Sequence, residues 1–207
     1  MSQTTQSATE DVAVFFQSNN YFIDEKVNMF KFENAYNVYN ETGEHIGAIT
    51  QRLTTGEKLL RLFLDKRMMP FKLVVQGHNG NVLTTIQRGW TFWMSKIEIL
   101  DSDDKVLGYV KQKFKFFKPE FQILSASEQL IGTITGDWKA WNFDIKDASQ
   151  KQVGTISKKW AGAVKEIFTS ADKYNVAIDP AFSSSIEHKQ AIVSCAITID
   201  MVLKESK

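Results

Sequence analysis

One pattern recurs down the chain: apolar-x-apolar, a polar turn, apolar-Gly-x-apolar, then basic or aromatic residues. It runs from Val38 to Leu53 around Gly47, from Ile97 to Phe114 around Gly108, from Phe121 to Trp138 around Gly132 and from Phe143 to Trp160 around Gly154. A weaker copy spans Phe71 to Trp90, with Thr84 in place of the glycine. Period-two apolar residues either side of Asn, Asp and Gly clusters read as β-hairpins. The glycine just after each turn reads as a strand bend or a close backbone approach rather than a phosphate cradle.

Between the copies, Leu59 to Leu64 reads as a compact apolar strand ended by Asp65-Lys66-Arg67. Residues 1–11 are polar and aperiodic and are expected to form a disordered tail. Residues 12–207 then make one domain, with a short helical turn at Val12, Phe15 and Phe16 and a short strand at Tyr174 to Ile178. Trp160 to Asp172 has helical spacing. Glu187 to Lys204 predicts a helix that is apolar all round, and such a helix is buried or embedded in a membrane. Its apolar core, Ala191 to Leu203, is interrupted by Asp200 and is well short of the ~20 residues that span a bilayer. The expected fold is mainly β: a closed antiparallel barrel threaded by this C-terminal helix, which also removes exposed sheet edges. Asp200 must then find a donor or sit at the barrel mouth.

The chemistry of an enzyme is missing. His45, His78 and His188 lie in separate turns or at a helix start, without metal-ligand spacing. No serine sits in a G-x-S-x-G elbow, and Cys195, the single cysteine, falls in the buried helix. No catalytic residue, disulfide or cysteine-held zinc is expected. Asp101, Asp103 and Asp104 read as a solvated turn. A net charge of +1 gives no global field for nucleic acid, so any electrostatic partner meets a local patch. The N-terminus lacks the basic-then-apolar pattern of a secretory signal.

Several segments, in order and spacing, resemble the phospholipid scramblase family, whose fold is shared with tubby-like domains. They are Pro70-Phe71-Lys72-Leu73, Gly80-Asn81-Val82-Leu83, Gly108-Tyr109-Val110-Lys111-Gln112, Pro119-Glu120-Phe121-Gln122-Ile123 and Phe143-Asp144-Ile145-Lys146. The densest match is Val153 to Gly162, followed by Glu166 to Asp172 and the terminal apolar helix with Ile199-Asp200. The resemblance implies a twelve-stranded barrel around a C-terminal helix, a role at membrane phospholipids, and calcium-dependent lipid scrambling. The chain departs from the family in three ways. Of its 3 prolines none precedes Pro70, it has no cysteine cluster, and its acidic loop is reduced. That loop reads Ser170-Ala171-Asp172-Lys173-Tyr174-Asn175, followed by Asp179. It offers Asp172 and Asp179 as a degenerate calcium set, short of the ligands calcium takes. No cofactor is otherwise expected.

The candidate lipid-headgroup residues are Lys111, Lys113 and Lys115, which alternate along one strand face, with Lys118, Lys158 and Lys159 extending them. Phe92, Trp93 and Trp141 are candidate membrane anchors on loops, because tryptophan favours the membrane–water boundary. The expected partner is an anionic phospholipid surface, with no nucleic acid, for a cytoplasmic protein peripheral at the inner face of a membrane. The alternative is a soluble tubby-like scaffold or regulatory module that binds a protein partner and has no scrambling activity.

Overall fold

The computed structural model describes residues 11–26, 35–60, 63–65, 68–90, 96–115, 118–137, 139–158, 173–182 and 184–205. Their strands are β1 (Asn20–Lys26), β2 (Ala35–Tyr39), β3 (His45–Arg52), β4 (Phe71–Gly77), β5 (Val82–Arg88), β6 (Lys96–Leu100), β7 (Val106–Lys115), β8 (Lys118–Ser125), β9 (Leu130–Asp137), β10 (Asn142–Asp147), β11 (Gln152–Ser157) and β12 (Lys173–Ile178). Each pairs antiparallel with the next, and β1 pairs with both β2 and β12, which closes the barrel. The helices are α1 (residues 11–17), α2 (Thr55–Leu60), α3 (Ile186–Ile197) and α4 (Ile199–Glu205).

The repeated sequence pattern is a repeated hairpin. At Asn40, Gly77, Asp101, Ser125 and Asp147 the main-chain N–H donates to the carbonyl four residues on, and its own carbonyl accepts from three residues on. The residue three beyond the start is left-handed each time: Gly43, Gly80, Asp104, Glu128 and Gln150. Where the turn opens with Asn or Asp, the side chain reinforces it. Oδ1 of Asn40, Asp101 and Asp147 accepts the main-chain N–H groups two and four residues on, at 2.8–3.1 Å. A register shift precedes all five turns. The glycine beyond the turn lies against the next strand. A Cβ on Gly108 would sit 2.1 Å from the Leu124 carbonyl oxygen, and one on Gly47 2.2 Å from that of Gln76. The weak copy has its own explanation: Thr84 is wholly buried, and its hydroxyl accepts a 3.1 Å hydrogen bond from Gln190 of α3.

Helix α3 fills the lumen, packing on β5, β7, β8, β9 and β12, with every residue from Gln190 to Ile197 buried. The single helix expected over Glu187 to Lys204 is divided at Thr198, whose hydroxyl donates to the Ser194 carbonyl at 2.7 Å, a local bond that competes with the helix ladder. Asp200 finds its donor: the Tyr36 hydroxyl bonds its carboxylate at 2.6 Å. Tyr174 donates from the barrel wall to the Ile197 carbonyl.

Two expectations are corrected. The apolar run at Leu59 is helical, not extended, through residue 60. Thr54 Oγ1 accepts the Glu57 N–H while the Glu57 carboxylate accepts the Thr54 N–H at 2.7 Å, a reciprocal cap that starts α2. Asp11 belongs to the folded unit rather than to a tail. Its carboxylate accepts from Asn79 and Asn81 at 2.8 and 2.7 Å, seating α1 over the β4–β5 turn. The helical spacing at Trp160 to Asp172 lies outside the described residues.

Candidate functional site

Strand β7 sets the basic row. Val110 is buried while Lys111 and Lys113 are exposed, so the lysines face outward as alternation requires. Register places Gln122, Glu120 and Lys118 of β8 opposite Lys111, Lys113 and Lys115, and Lys96 of β6 opposite Lys111. The row is therefore mixed in sign. Glu128, from the β8–β9 turn, takes Lys96 at 2.6 Å and Lys111 at 3.3 Å. Those two hydrogen bonds hold the Glu128 carboxyl below its ordinary range, and the same contact raises Lys96. Lys96 also lies 3.4 Å over the Tyr109 ring. Lys113 stands outside this cluster. The side chains of Lys115 and Lys118 lie outside the described residues, although their backbone closes the β7–β8 hairpin.

The outlying candidates separate. Lys158 sits 4.6 Å over the Trp141 ring. Trp141 is partly buried, and its ring packs on Tyr174 at 5.4 Å and Phe143 at 6.1 Å. The ring thus packs at the barrel end while part of it stays accessible. Lys159, Phe92 and Trp93 lie outside the described residues.

Of the calcium pair, Asp172 lies outside the described residues. Strand β12 runs from Lys173 to Ile178, and Asp179 follows it. Asp179 is engaged locally, its carboxylate accepting the Ala181 N–H at 2.8 Å. Lys173 lies 3.8 Å from Asp24, and burial lowers its pKa. No group of three acidic, histidine or cysteine side chains converges among the described residues.

One surface was missed from sequence. Leu59, Phe63, Leu64, Met68 and Trp90 are all exposed, Phe63 by 80%. The signal was present: Lys58, Arg61, Lys66 and Arg67 interleave with the apolar residues, which a strand buried on both faces would not tolerate.

Among the described residues no helix is long and apolar enough to cross a membrane. An X-ray structure of a protein from Arabidopsis thaliana superposes with a TM-score of 0.52, covering 90% of this chain and 93% of that one at 11% identity. It shares the fold. The human protein named phospholipid scramblase family member 5 is 28% identical over 120 residues, which is 55% of this chain and 44% of the relative. The chain thus aligns with less than half the length of that relative. The Scramblase family matches residues 6–206, from before α1 through the buried helix. That match spans nearly the whole barrel and its helix, and the chain belongs to the scramblase family.

Proposed function

We propose that the chain associates peripherally with anionic phospholipid membranes, at the inner leaflet, and takes part in transbilayer phospholipid movement without catalysing a bond change. The observation that supports this most directly is the outward lysine row of β7, continued by register to Lys118. Each lysine near an anionic surface contributes about 1 kcal/mol. Family membership and the name of the human relative point the same way. Calcium takes more ligands than Asp172 and Asp179 offer, so the association proposed is independent of calcium.

Co-sedimentation with neutral and anionic liposomes, with and without calcium and at two salt concentrations, tests the reading. Binding to anionic vesicles that falls with salt and ignores calcium is expected. Charge reversal at Lys113 should weaken it more than reversal at Lys111, which Glu128 already partly neutralises. Failure to bind vesicles under every condition would sink the proposal. The second reading, a soluble interaction module, draws on the same Glu128 cluster, because paired lysines project less field.

A further inference from the structure

In an up-and-down barrel the connections alternate between two ends, and here the ends differ in kind. The connections that lead from odd to even strands (residues 27–34, 53–70, 89–95, 116–117, 138–141 and 158–172) leave and rejoin the barrel at one end by topology. Trp90, Trp93, Trp138, Trp141 and Trp160, the chain's 5 tryptophans, all fall in them. The even-to-odd connections at the other end are the five tight turns, which carry Glu41, Glu44, Asp101, Asp103, Asp104, Glu128 and Asp147 against only Lys105 and Lys151.

The described surface agrees with the sequence of the connections. Of the large hydrophobic side chains that stand exposed among the described residues, Leu59, Phe63, Leu64, Met68 and Trp90 lie at the tryptophan end; only Val14 and Ile186 lie elsewhere. Met68 and Trp90 are drawn to one rim by Arg88, whose Nη2 donates to the Met69 carbonyl at 2.8 Å. The segment bearing Leu59, Phe63 and Leu64 also carries Lys58, Arg61, Lys66 and Arg67 against Glu57 and Asp65. Exposed apolar side chains clustered on a soluble barrel mark a contact surface. The net positive charge of that segment favours anionic headgroups, while a tryptophan such as Trp90 suits the boundary beneath them.

We propose that the barrel docks end-on, with the end that bears Leu59, Phe63, Leu64, Met68 and Trp90 against an anionic phospholipid bilayer and the acidic turns pointing away. This rests on the membrane reading above and names the docking surface. Leu59, Phe63, Leu64, Met68 and Trp90 enter the interface, and Lys113 lies on the barrel flank toward that end. The acidic turns would be repelled by the same surface, which fixes the polarity of approach.

The placement of the tryptophans supplies the test without any mutation. Intrinsic fluorescence is followed while the protein is mixed with phosphatidylserine vesicles containing brominated phosphatidylcholine, and sedimentation is run on the same samples. Sedimentation with strong quenching supports end-on docking. Sedimentation without quenching overturns it and leaves a flank-on lysine contact. Absence of sedimentation overturns the membrane reading itself, and with it this docking mode, and leaves the apolar end to a protein partner.

A second probe covers the possibility that quenching is masked by Trp141, which already packs on protein. Cys195 is buried and its thiol is pushed up to about 12, so an environment-sensitive label placed through Phe63→Cys reacts at the new site alone. Its emission should shift blue on vesicle binding, while a label through Ala148→Cys at the acidic end should not. Equal shifts at both sites would overturn the assignment. The triple change Leu59→Ser, Phe63→Ser, Leu64→Ser should lower the partition coefficient about a hundredfold. All three side chains are exposed, so the fold is retained.

Discussion

The two ends of the barrel solve different problems. At the acidic end one local device closes five hairpins: an opener that is polar in all but Gly77, a left-handed residue three positions on and a small residue beyond. Little in it can vary without disturbing the strands. At the tryptophan end, connections such as residues 53–70 are long and differ from one another. A scaffold that fixes one end by repetition leaves the other free to carry function, as loops on rigid barrels generally do.

The largest effect is expected where the repeat is tightest. Gly108→Ala would place a Cβ 2.1 Å from a main-chain oxygen of β8, and backbone in a paired strand cannot step aside. A loss of about 3 kcal/mol or more is expected in urea unfolding, given the usual cost of overpacking. A loss under 1 kcal/mol would show that the glycine is incidental to the hairpin.

Next comes the polar contact inside the barrel near the tryptophan end. Tyr36→Phe removes the donor to the buried Asp200 carboxylate and should cost about 1–3 kcal/mol. The phenols also set a pH limit. An unfolded tyrosine ionises near 10. Desolvation first, and the Asp200 charge second, hold the Tyr36 and Tyr174 protons on to higher pH in the fold. Their contribution to stability is complete below about pH 10 and declines as pH rises above it, by up to ~1.4 kcal/mol per pH unit for each. Unfolding series from pH 8 to 11 should show a shallower decline for Tyr36→Phe than for the wild type. Parallel declines would rule Tyr36 out as a source.

Much of the fold was legible because its determinants are local. Asn40, Asp101 and Asp147 cap turns a few residues away, and period-two alternation reports which face each strand buries. The all-apolar C-terminal helix announced its own burial. What failed was whatever depends on partners distant in sequence or on length in space. Glu128 looked like a turn residue, yet it is the counter-ion of Lys96 and Lys111 on other strands. Leu59 to Leu64 looked like a strand because the apolar run is short and compact, while the Thr54–Glu57 cap, visible in sequence, pointed to a helix. The packing of Trp141 on Tyr174 was likewise invisible in sequence.

A smaller loss tests the shared turn design. Asn40→Ala removes the acceptor of two main-chain N–H groups at the first turn, at a cost of about 1 kcal/mol for hydrogen bonds that water partly replaces. Thermal unfolding reads this directly, and an unchanged Tm would mean the main-chain bonds alone close the hairpin.

The smallest effect has the opposite sign and makes the comparison sharpest. Gly56 lies in the first turn of α2 at the tryptophan end, and nothing stands within 4 Å of a Cβ added there. Its φ is not positive, unlike those of Gly43 and Gly80. Gly56→Ala therefore meets no clash and reduces the freedom of the unfolded chain, for a gain of about 0.5 kcal/mol. The same substitution at Gly108 destabilises severely. A stabilised Gly56→Ala beside a crippled Gly108→Ala would show that one barrel end is constrained by packing and the other is not. A loss at Gly56 would mean that α2 is held against protein, and that Leu59, Phe63 and Leu64 are not free to meet a bilayer.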